Sequence, residues 1–340
     1  MKYFLIMNPV SGGGKSRKHI QRILSLFDER GVNYQFAHTT SLENALQLSK
    51  KANESEFDVV VAVGGDGTIN AVLNGFFDNM GKRISASIMG VVHTGTSPDF
   101  CKSYRIPVKT EKAVQLLLSP EVRKIKIGKI SCCSKNSQDL DKMGILECPE
   151  ILVKYFGCCA NIGLGASLAR HANSGIRKYA GDTMGTFLSL IKILLTFKAN
   201  TLSMVKNGKK IQIDKLYNIS VGRTYYIASG IKVRHELTDS DDRFYCLTAR
   251  DLKLSNISSV LRQAYSGKQI RNSPVFYLDY CRIIEFYGNY QNPEVELDGD
   301  PAGFLPCKIE MAMKPLDLIC QSMKKHDDHL PEGKLQLSNS

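Results

Sequence analysis

Several signatures that would classify the chain at once are missing from it. Ten cysteines are present, but no two of them form a C-x-x-C pair. Neither a zinc ribbon nor a thioredoxin-like redox motif is therefore supported. Several cysteines lie in apolar runs, where a reduced, buried thiol packs as a small hydrophobic group. We therefore expect reduced cysteines, a reducing compartment and a cytoplasmic location.

Long apolar segments are also scarce. The apolar start, Tyr3 to Met7, is too short for a secretory signal and is typical of a first strand. The most apolar helical pattern runs from Asp182 to Phe197, and Lys192 interrupts it. This stretch is too short to cross a bilayer, so we interpret it as a core helix.

Acidic residues are fewer than basic ones, with 33 Asp and Glu against 45 Lys and Arg and a formal net charge of +12. Such a charge favours anionic partners, which include nucleotide phosphates and anionic membrane surfaces. The basic residues are not interleaved with aromatic ones, so no nucleic-acid motif is supported. With 340 residues and 43% hydrophobic content, the chain is long enough for two cores.

The first glycine-rich turn, residues 8–16 (NPVSGGGKS), follows the first predicted strand. Its last three residues suggest a Walker A loop, but that motif requires a glycine where Pro9 stands. The dinucleotide fingerprint fails as well, because Arg17 occupies the position of its third glycine. The pattern leaves open a phosphate-binding turn of another kind.

The chain is organised around residues 58–76, where the run DVVVAV leads into GGDGT and then INAVLNGF. A β-branched apolar run that ends at glycines and is followed by helical spacing predicts a buried strand, a tight turn and a helix. Backbone N–H groups at such a turn form an anion site that suits phosphate. Asp66 lies inside this turn and would repel a phosphate unless a cation or a hydroxyl lay between them. The structural alternative is an ordinary strand-to-helix turn with Asp66 as its cap.

Strands and helices alternate through residue 120, and a third glycine turn, GTSPDF (95–100), follows the next strand. This alternation predicts a doubly wound, parallel α/β sheet, in which ligands bind at the carboxyl ends of the strands. Beyond Pro120 the pattern becomes β-rich, beginning with a strand over 121–131. We predict a nucleotide-binding domain over 1–120, possible completion of it by 306–322, a β-rich domain over 121–305, and a disordered tail over 324–340.

The three turns together resemble the signatures of the diacylglycerol kinase catalytic domain family, which includes bacterial lipid kinases and sphingosine kinases. The resemblance rests on NPVSG (8–12), GGDGT (64–68) continuing to Asn70, and GTSPDF (95–100), in the order of the family. It implies a Rossmann-like domain of the NAD kinase and phosphofructokinase type and a second, sandwich-like domain that takes the lipid. The family usually has Asn where Pro98 stands.

The resemblance also implies a transfer of the γ-phosphoryl group of ATP to a lipid hydroxyl, with ATP and Mg²⁺ as cofactors. Asp66, Asp99 and Asp300 are the predicted catalytic residues. Asp300 stands where the family has the glutamate of Asp-Gly-Glu, taken as the general base, and is shorter by one methylene. The residues predicted to contact the nucleotide are Asn8, Pro9, Val10, Ser11, Gly12, Thr40, Gly64, Gly65, Asp66, Gly67, Thr68, Ile69, Asn70, Ala71, Gly95 and Thr96.

A structural Mg²⁺ is the further implication of the resemblance. Its predicted ligands are Asp239, Asp242 and the carbonyl of Phe244, while Arg243 replaces the usual glycine of the family. The expected partners are a nucleotide and a lipid at the membrane surface, with peripheral attachment and no nucleic acid; a homodimer is left open. On this interpretation the helix over 182–197 would help to admit a lipid chain.

Two alternatives remain at this stage. The first is an NAD kinase-like phosphotransferase, because GGDGT also occurs in that family. The second is a catalytically weak nucleotide-binding homologue, suggested by the departures at Pro98, Arg243 and Asp300.

Overall fold

The computed structural model describes residues 1–135, 144–165, 197–227, 231–253, 255, 259, 262–263, 272–288 and 294–322. The predicted helix over 182–197 and the predicted tail over 324–340 therefore lie outside the described residues, apart from Phe197. In the part that is described, no helix is long and apolar enough to cross a membrane.

The N-terminal domain is built on a six-stranded sheet. Its strands are β1 (Tyr3–Met7), β2 (Tyr34–His38), β3 (Val59–Gly64), β4 (Ile88–His93), β5 (Val122–Ile125) and β18 (Leu316–Ile319). The helices are α1 (Ser16–Glu29), α2 (Leu42–Glu54), α3 (Asp66–Asn74), α4 (Asp99–Ser103) and α5 (Thr110–Leu118). The strand order is β2-β1-β3-β4-β18-β5, and β5 alone runs antiparallel to its neighbour. The predicted doubly wound α/β architecture is confirmed.

Strand β3 explains how the helices are distributed. All of its residues are buried, as the apolar run predicts for a strand covered on both faces. Because side chains alternate along a strand, Val59, Val61 and Val63 join the core beneath α1 and α5, whereas Val60 and Ala62 join the core beneath α2 and α3. Two separate apolar faces therefore fix helices on both sides of the sheet.

The second domain is β-rich. Its main strands are β6 (Gly128–Cys133), β7 (Ile151–Phe156), β8 (Cys159–Gly163), β9 (Asn200–Lys206), β10 (Lys209–Gly222), β13 (Phe244–Arg250), β14 (Phe276–Cys281), β15 (Ile284–Phe286), β16 (Glu294–Leu297) and β17 (Asp300–Met311), with a small hairpin of β11 (Tyr226–Ile227) and β12 (Ile231–Lys232). The order is β14-β13-β10-β8-β16-β17-β15-β9, and β9 pairs back onto β10. Six strands thus close a ring around an apolar core that includes Ile162, Ile219, Val295 and Leu305.

The chain crosses between the domains twice. The stretch predicted as one strand over 121–131 is two strands in the structure: β5 belongs to the first sheet, while β6 belongs to the second. The chain returns from β17 to β18, which lies between β4 and β5. The C-terminal strand therefore completes the N-terminal sheet.

One cysteine pair departs from the expectation of reduced thiols. Cys133 and Cys148 form a disulfide with a Cα separation of 6.0 Å, while the other eight cysteines are free and buried. Cys133 ends β6, and the turn over Ile145–Glu147 brings Cys148 back beside it. Sequence spacing alone did not indicate this return.

Candidate active site

Three glycine turns meet at the carboxyl ends of β1, β3 and β4, which are adjacent strands. A Cβ added to Gly95 would lie 2.5 Å from the Cα of Gly65, and one added to Gly12 would lie 2.6 Å from the carbonyl oxygen of Thr94. Ordinary side chains do not fit at such distances, so the close approach of the three backbones requires glycine. The parallel sheet thus brings the three predicted signatures to one place.

Polar side chains fasten the three turns to one another. Asn8 Nδ2 donates to Thr68 Oγ1 at 2.9 Å, and Asn8 Oδ1 accepts from the N–H of Val10 at 3.1 Å. Ser16 and Thr94 share a hydrogen bond of 2.8 Å between their hydroxyls. The side chain of Asn8 therefore holds the first turn against the start of α3, which is a structural task in addition to its predicted contact with the nucleotide.

Helix α3 begins inside the GGDGT turn. Gly65 is its N-cap, and the first backbone hydrogen bond runs from the N–H of Ile69 to the carbonyl of Gly65. The N–H groups of Asp66, Gly67 and Thr68 therefore have no acceptor within the helix. Together with the helix dipole, these donors form a seat for an anionic group.

Asp66 is held against the third turn. Its Oδ2 accepts from the N–H of Asp99 at 3.2 Å, and its Oδ1 lies 3.8 Å from Nε2 of His93. His93 Nε2 is also 3.1 Å from the carbonyl of Ser97, which assigns the ring proton to that nitrogen. Burial lowers the pKa of His93, so the ring is neutral and supplies no charge to Asp66.

Asp66, Asp99 and Asp298 form a group of carboxylates. Burial raises the pKa of Asp66 well above its usual range, and the charges of Asp99 and Asp298 raise it further. Among the described residues, Oδ1 of Asp66 has no hydrogen-bond partner although it is buried. An orphaned carboxylate oxygen beside a second carboxylate fits a hard cation such as Mg²⁺, which takes one or two carboxylates together with substrate phosphates. No cluster of three or more metal-binding side chains occurs in the described ranges.

Asp300 reaches the GGDGT turn from the second domain. A Cβ added to Gly67 would clash with Oδ2 of Asp300 and would lie 3.2 Å from its Cγ. The two residues are thus in direct contact, although they belong to different domains and are far apart in sequence. The predicted general base therefore lies beside the predicted phosphate seat.

Asp298 fixes the approach of Asp300. Its Oδ2 accepts from Asn70 Nδ2 and from the N–H of Gly157, both at 2.8 Å, while its Oδ1 accepts from the N–H groups of Cys158 and Cys159 at 2.9 Å. Sequence reasoning gave Asp298 no role of its own. Burial raises the pKa of Asp298. The hydrogen bonds oppose this shift because they stabilise the ionised carboxylate.

Glu296 supports the same turn from inside the second domain. It is 5% exposed; its Oε1 accepts from the N–H of Gly299, and its Oε2 accepts from Asn161 Nδ2 at 2.7 Å. Asn161 in turn accepts from the hydroxyl of Ser220 at 2.5 Å. Burial raises the pKa of Glu296 to about 8. Glu296 was not identified from the sequence. The one indication in the sequence is that an acidic residue occupies a strand position whose side chain faces inward.

Other residues predicted to contact the nucleotide have varied surroundings. Ile69 is fully buried in the core, Ala71 packs against that core, and Asn70 donates to Asp298 and to the carbonyl of Tyr155. Thr40 is exposed after β2, and Thr96 is exposed in the third turn. The side chains of Thr40 and Thr96 are therefore open to solvent, whereas those of Ile69 and Asn70 hold α3 in place.

The predicted structural metal site has different surroundings. Asp239 accepts from Arg123 at 2.5 Å, Asp242 forms an ion pair with Lys126, and Phe244 is buried at the start of β13. Arg123 and Lys126 are therefore already the cationic partners of the two carboxylates. The residues present do not fit a divalent ion at this site.

Comparisons with known proteins agree with this architecture. Residues 2–130 match the family model described as "Diacylglycerol kinase catalytic domain". A curated "Diacylglycerol kinase" of Bacillus subtilis (strain 168) is 25% identical over 305 residues, which is 89% of this chain and 90% of that protein. One of Staphylococcus aureus (strain MRSA252) is 22% identical over 340 residues and covers 98% of both chains.

A solved structure described as a diacylglycerol kinase from Bacillus anthracis str. Sterne has a TM-score of 0.63 at 17% identity and covers 94% of this chain and 97% of that one. This likeness shows the two-domain fold alone. The match over residues 2–130 and these relatives confirm the predicted resemblance to the diacylglycerol kinase catalytic domain family.

Proposed function

We propose that this protein transfers the γ-phosphoryl group of ATP to the hydroxyl of a lipid such as diacylglycerol. The observation that carries the proposal is the contact of Asp300 with Gly67, which joins a carboxylate from the second domain to the phosphate seat of the first. A kinase needs an anion seat and a proton acceptor within reach of each other. The family match and the curated relatives support lipid kinase activity in general.

The phosphates of ATP would lie against the three glycine turns. The unpaired N–H groups at the start of α3 supply donors, and the glycines allow the phosphate oxygens to approach the backbone. Ser11 Oγ lies close to the position of a Cβ on Gly65, at 3.4 Å, and so adds a hydroxyl to the seat. The nucleoside would extend toward Thr40 beyond β2.

Asp66 and Asp99 would hold the catalytic Mg²⁺, which would neutralise negative charge on the transferring phosphoryl group. Burial and, after it, the charge of Asp99 raise the pKa of Asp66, and a bound cation would offset both effects. The buried Oδ1 of Asp66 supports this assignment.

Asp300 would accept the proton of the lipid hydroxyl. The hydroxyl oxygen forms the new bond to the γ-phosphorus, the bond between that phosphorus and the β,γ-bridging oxygen breaks, and ADP leaves with the electron pair. The proton passes to the Asp300 carboxylate. Asp298 holds the turn that presents Asp300, since three backbone N–H groups and Asn70 bind its carboxylate.

The net charge of +12 supports peripheral attachment to an anionic membrane, where the lipid acceptor is found. Purified protein with labelled Mg-ATP should phosphorylate diacylglycerol or another lipid alcohol in mixed micelles, and Asp300→Asn should abolish most of this activity. If no member of a broad lipid panel is phosphorylated, the proposal is wrong.

Two controls separate the other interpretations. Phosphorylation of NAD in place of lipid would indicate an NAD kinase-like enzyme. ATP binding by calorimetry without turnover on lipid or NAD would indicate a nucleotide-binding homologue.

A further inference from the structure

The loop that joins β12 to β13 carries four carboxylates, and basic side chains contact three of them, those of Asp239, Asp241 and Asp242. Arg123, on β5, donates to Asp239 Oδ2 at 2.5 Å. Lys126, which follows β5, donates to Asp242 and to the carbonyl oxygen of Ser240, the latter at 2.8 Å. Arg123 thus belongs to the last strand before the chain leaves the first sheet, and Lys126 belongs to the connection that leads to the second sheet.

The backbone oxygens of the same loop are occupied as well. Arg223, at the end of β10, donates to the carbonyl of Thr238 at 2.9 Å and to that of Arg243. A loop that binds a hard divalent ion uses carbonyl and carboxylate oxygens together. Here guanidinium and ammonium groups donate hydrogen bonds to both kinds of oxygen.

The charges around the loop are balanced without a metal ion. Arg243 donates to Asp241 Oδ1 at 2.8 Å and lowers the pKa of that carboxyl to about 2. With Arg123, Lys126 and Arg223, it makes four cations against the four carboxylates of the loop, of which Glu236 also lies near Arg243. A divalent ion would enter a region whose carboxylates already have cationic partners, and it would also have to displace Lys126 from two oxygens.

We propose that the Lys126 ammonium, with the guanidinium groups of Arg123 and Arg223, is the resident cation of this loop and takes the place of the divalent ion that the family resemblance implies at Asp239, Asp242 and Phe244. Side chains of the protein, and not a metal ion, then attach the loop to the segment that joins the two sheets. Arg123 extends the attachment, because it also donates to the carbonyl of Gln321, just beyond β18. Divalent ions would be needed only with the nucleotide.

The test uses thermal unfolding of the full chain without nucleotide, in EDTA and in MgCl₂ at matched ionic strength. We expect the wild type to have the same Tm in both buffers and to carry no bound divalent ion after dialysis, by elemental analysis. In Lys126→Met, the oxygens of Asp242 and Ser240 lose their cation. This variant should unfold at a lower Tm in EDTA and should regain roughly 2 °C or more in MgCl₂.

Lys124→Met is the matched control. Lys124 lies on β5, two residues before Lys126, and forms an ion pair with Asp317 at 2.8 Å, away from the loop. It should show no response to Mg²⁺. A wild type that retains a stoichiometric divalent ion, or that loses stability when EDTA removes one, would overturn the proposal. Because these readouts use no ATP, the outcome is independent of whether the protein is a lipid kinase.

Discussion

Gly67→Ala tests whether Asp300 acts at the GGDGT turn. The added Cβ would lie 3.2 Å from Cγ of Asp300 and closer still to Oδ2, well inside the separation of ~3.5 Å at which such atoms attract. The carboxylate has to retreat by about 1 Å, and a misplacement of that size costs on the order of a hundredfold in rate. This corresponds to about 2.7 kcal/mol of transition-state stabilisation.

Stability should not fall with activity. The atom that has to move is the end of a side chain, and residue 67 lies in α3, where alanine is favoured over glycine by roughly 0.5–1 kcal/mol. We expect kcat for lipid phosphorylation to drop about a hundredfold while the Tm stays unchanged or rises. Steady-state kinetics with labelled ATP, alongside thermal unfolding, measures both.

A double-mutant cycle distinguishes this explanation from a simple obstruction of the phosphate seat. If Gly67→Ala acts by moving Asp300, it should lower the residual rate of Asp300→Ala by less than about twofold, because the two changes remove the same interaction. An undiminished hundredfold loss in the Asp300→Ala background would refute the reasoning and would place the effect on ATP binding. A Gly67→Ala enzyme with full activity would refute the role of Asp300 itself.

Three further predictions concern the turn around Asp300. Asp298→Asn replaces one carboxylate oxygen by an NH₂ group that cannot accept a hydrogen bond, which leaves two buried donors unsatisfied at ~1–3 kcal/mol each. We therefore expect the free energy of unfolding, measured in urea, to fall by about 2 kcal/mol or more. The exposed control Asp214→Asn should leave it unchanged. Glu296 keeps its proton in the folded state up to about pH 8, whereas the unfolded chain loses that proton near pH 4.5. Between these two pH values, the stability of the wild type should therefore fall by about 1.4 kcal/mol per pH unit when it is compared with that of Glu296→Gln. A flat difference between these two proteins from pH 5 to pH 7 would contradict the burial of that carboxyl. Asp300→Glu should lower kcat by roughly tenfold, because the aspartate already contacts Gly67 and the longer glutamate side chain has to turn away from it. A higher kcat would instead show that the side chain of Asp300 is too short to reach the substrate.

The sequence was most informative where the pattern of neighbouring residues alone determined the local structure. The run at 59–64 forms a strand buried on both faces because its apolar residues satisfy two cores, and the three glycine turns meet because parallel strands end at one edge. Neither inference needed a partner that is distant in sequence.

Other features depended on distant partners and could not be predicted from spacing. Asn70 was assigned to the nucleotide, but its amide donates a hydrogen bond to Asp298, which is 228 residues away and belongs to the second domain. Lys126 belongs to a charged strand that is typical of a solvated face, and only the return of the chain near Asp242 gives it a partner. The role of Asp300 was implied by the resemblance alone, and its contact with Gly67 is seen only in the structure, because no periodicity relates the two residues.

The reach of Asp300, which is shorter by one methylene than the glutamate that the resemblance implies, is best understood through the backbone that carries it. Asp298 has a left-handed backbone with φ of 50°, and Gly299 follows at φ of 100°, so the chain turns sharply just before Asp300. The Asp298 carboxylate binds Asn70 of α3 and the backbone of residues 157–159, and therefore ties this turn to the helix that also carries Gly67. With the turn fixed to α3, an aspartate reaches Gly67 without the extra methylene. The position of the backbone, set by Asp298, thus decides whether a carboxylate from the second domain reaches the phosphate seat.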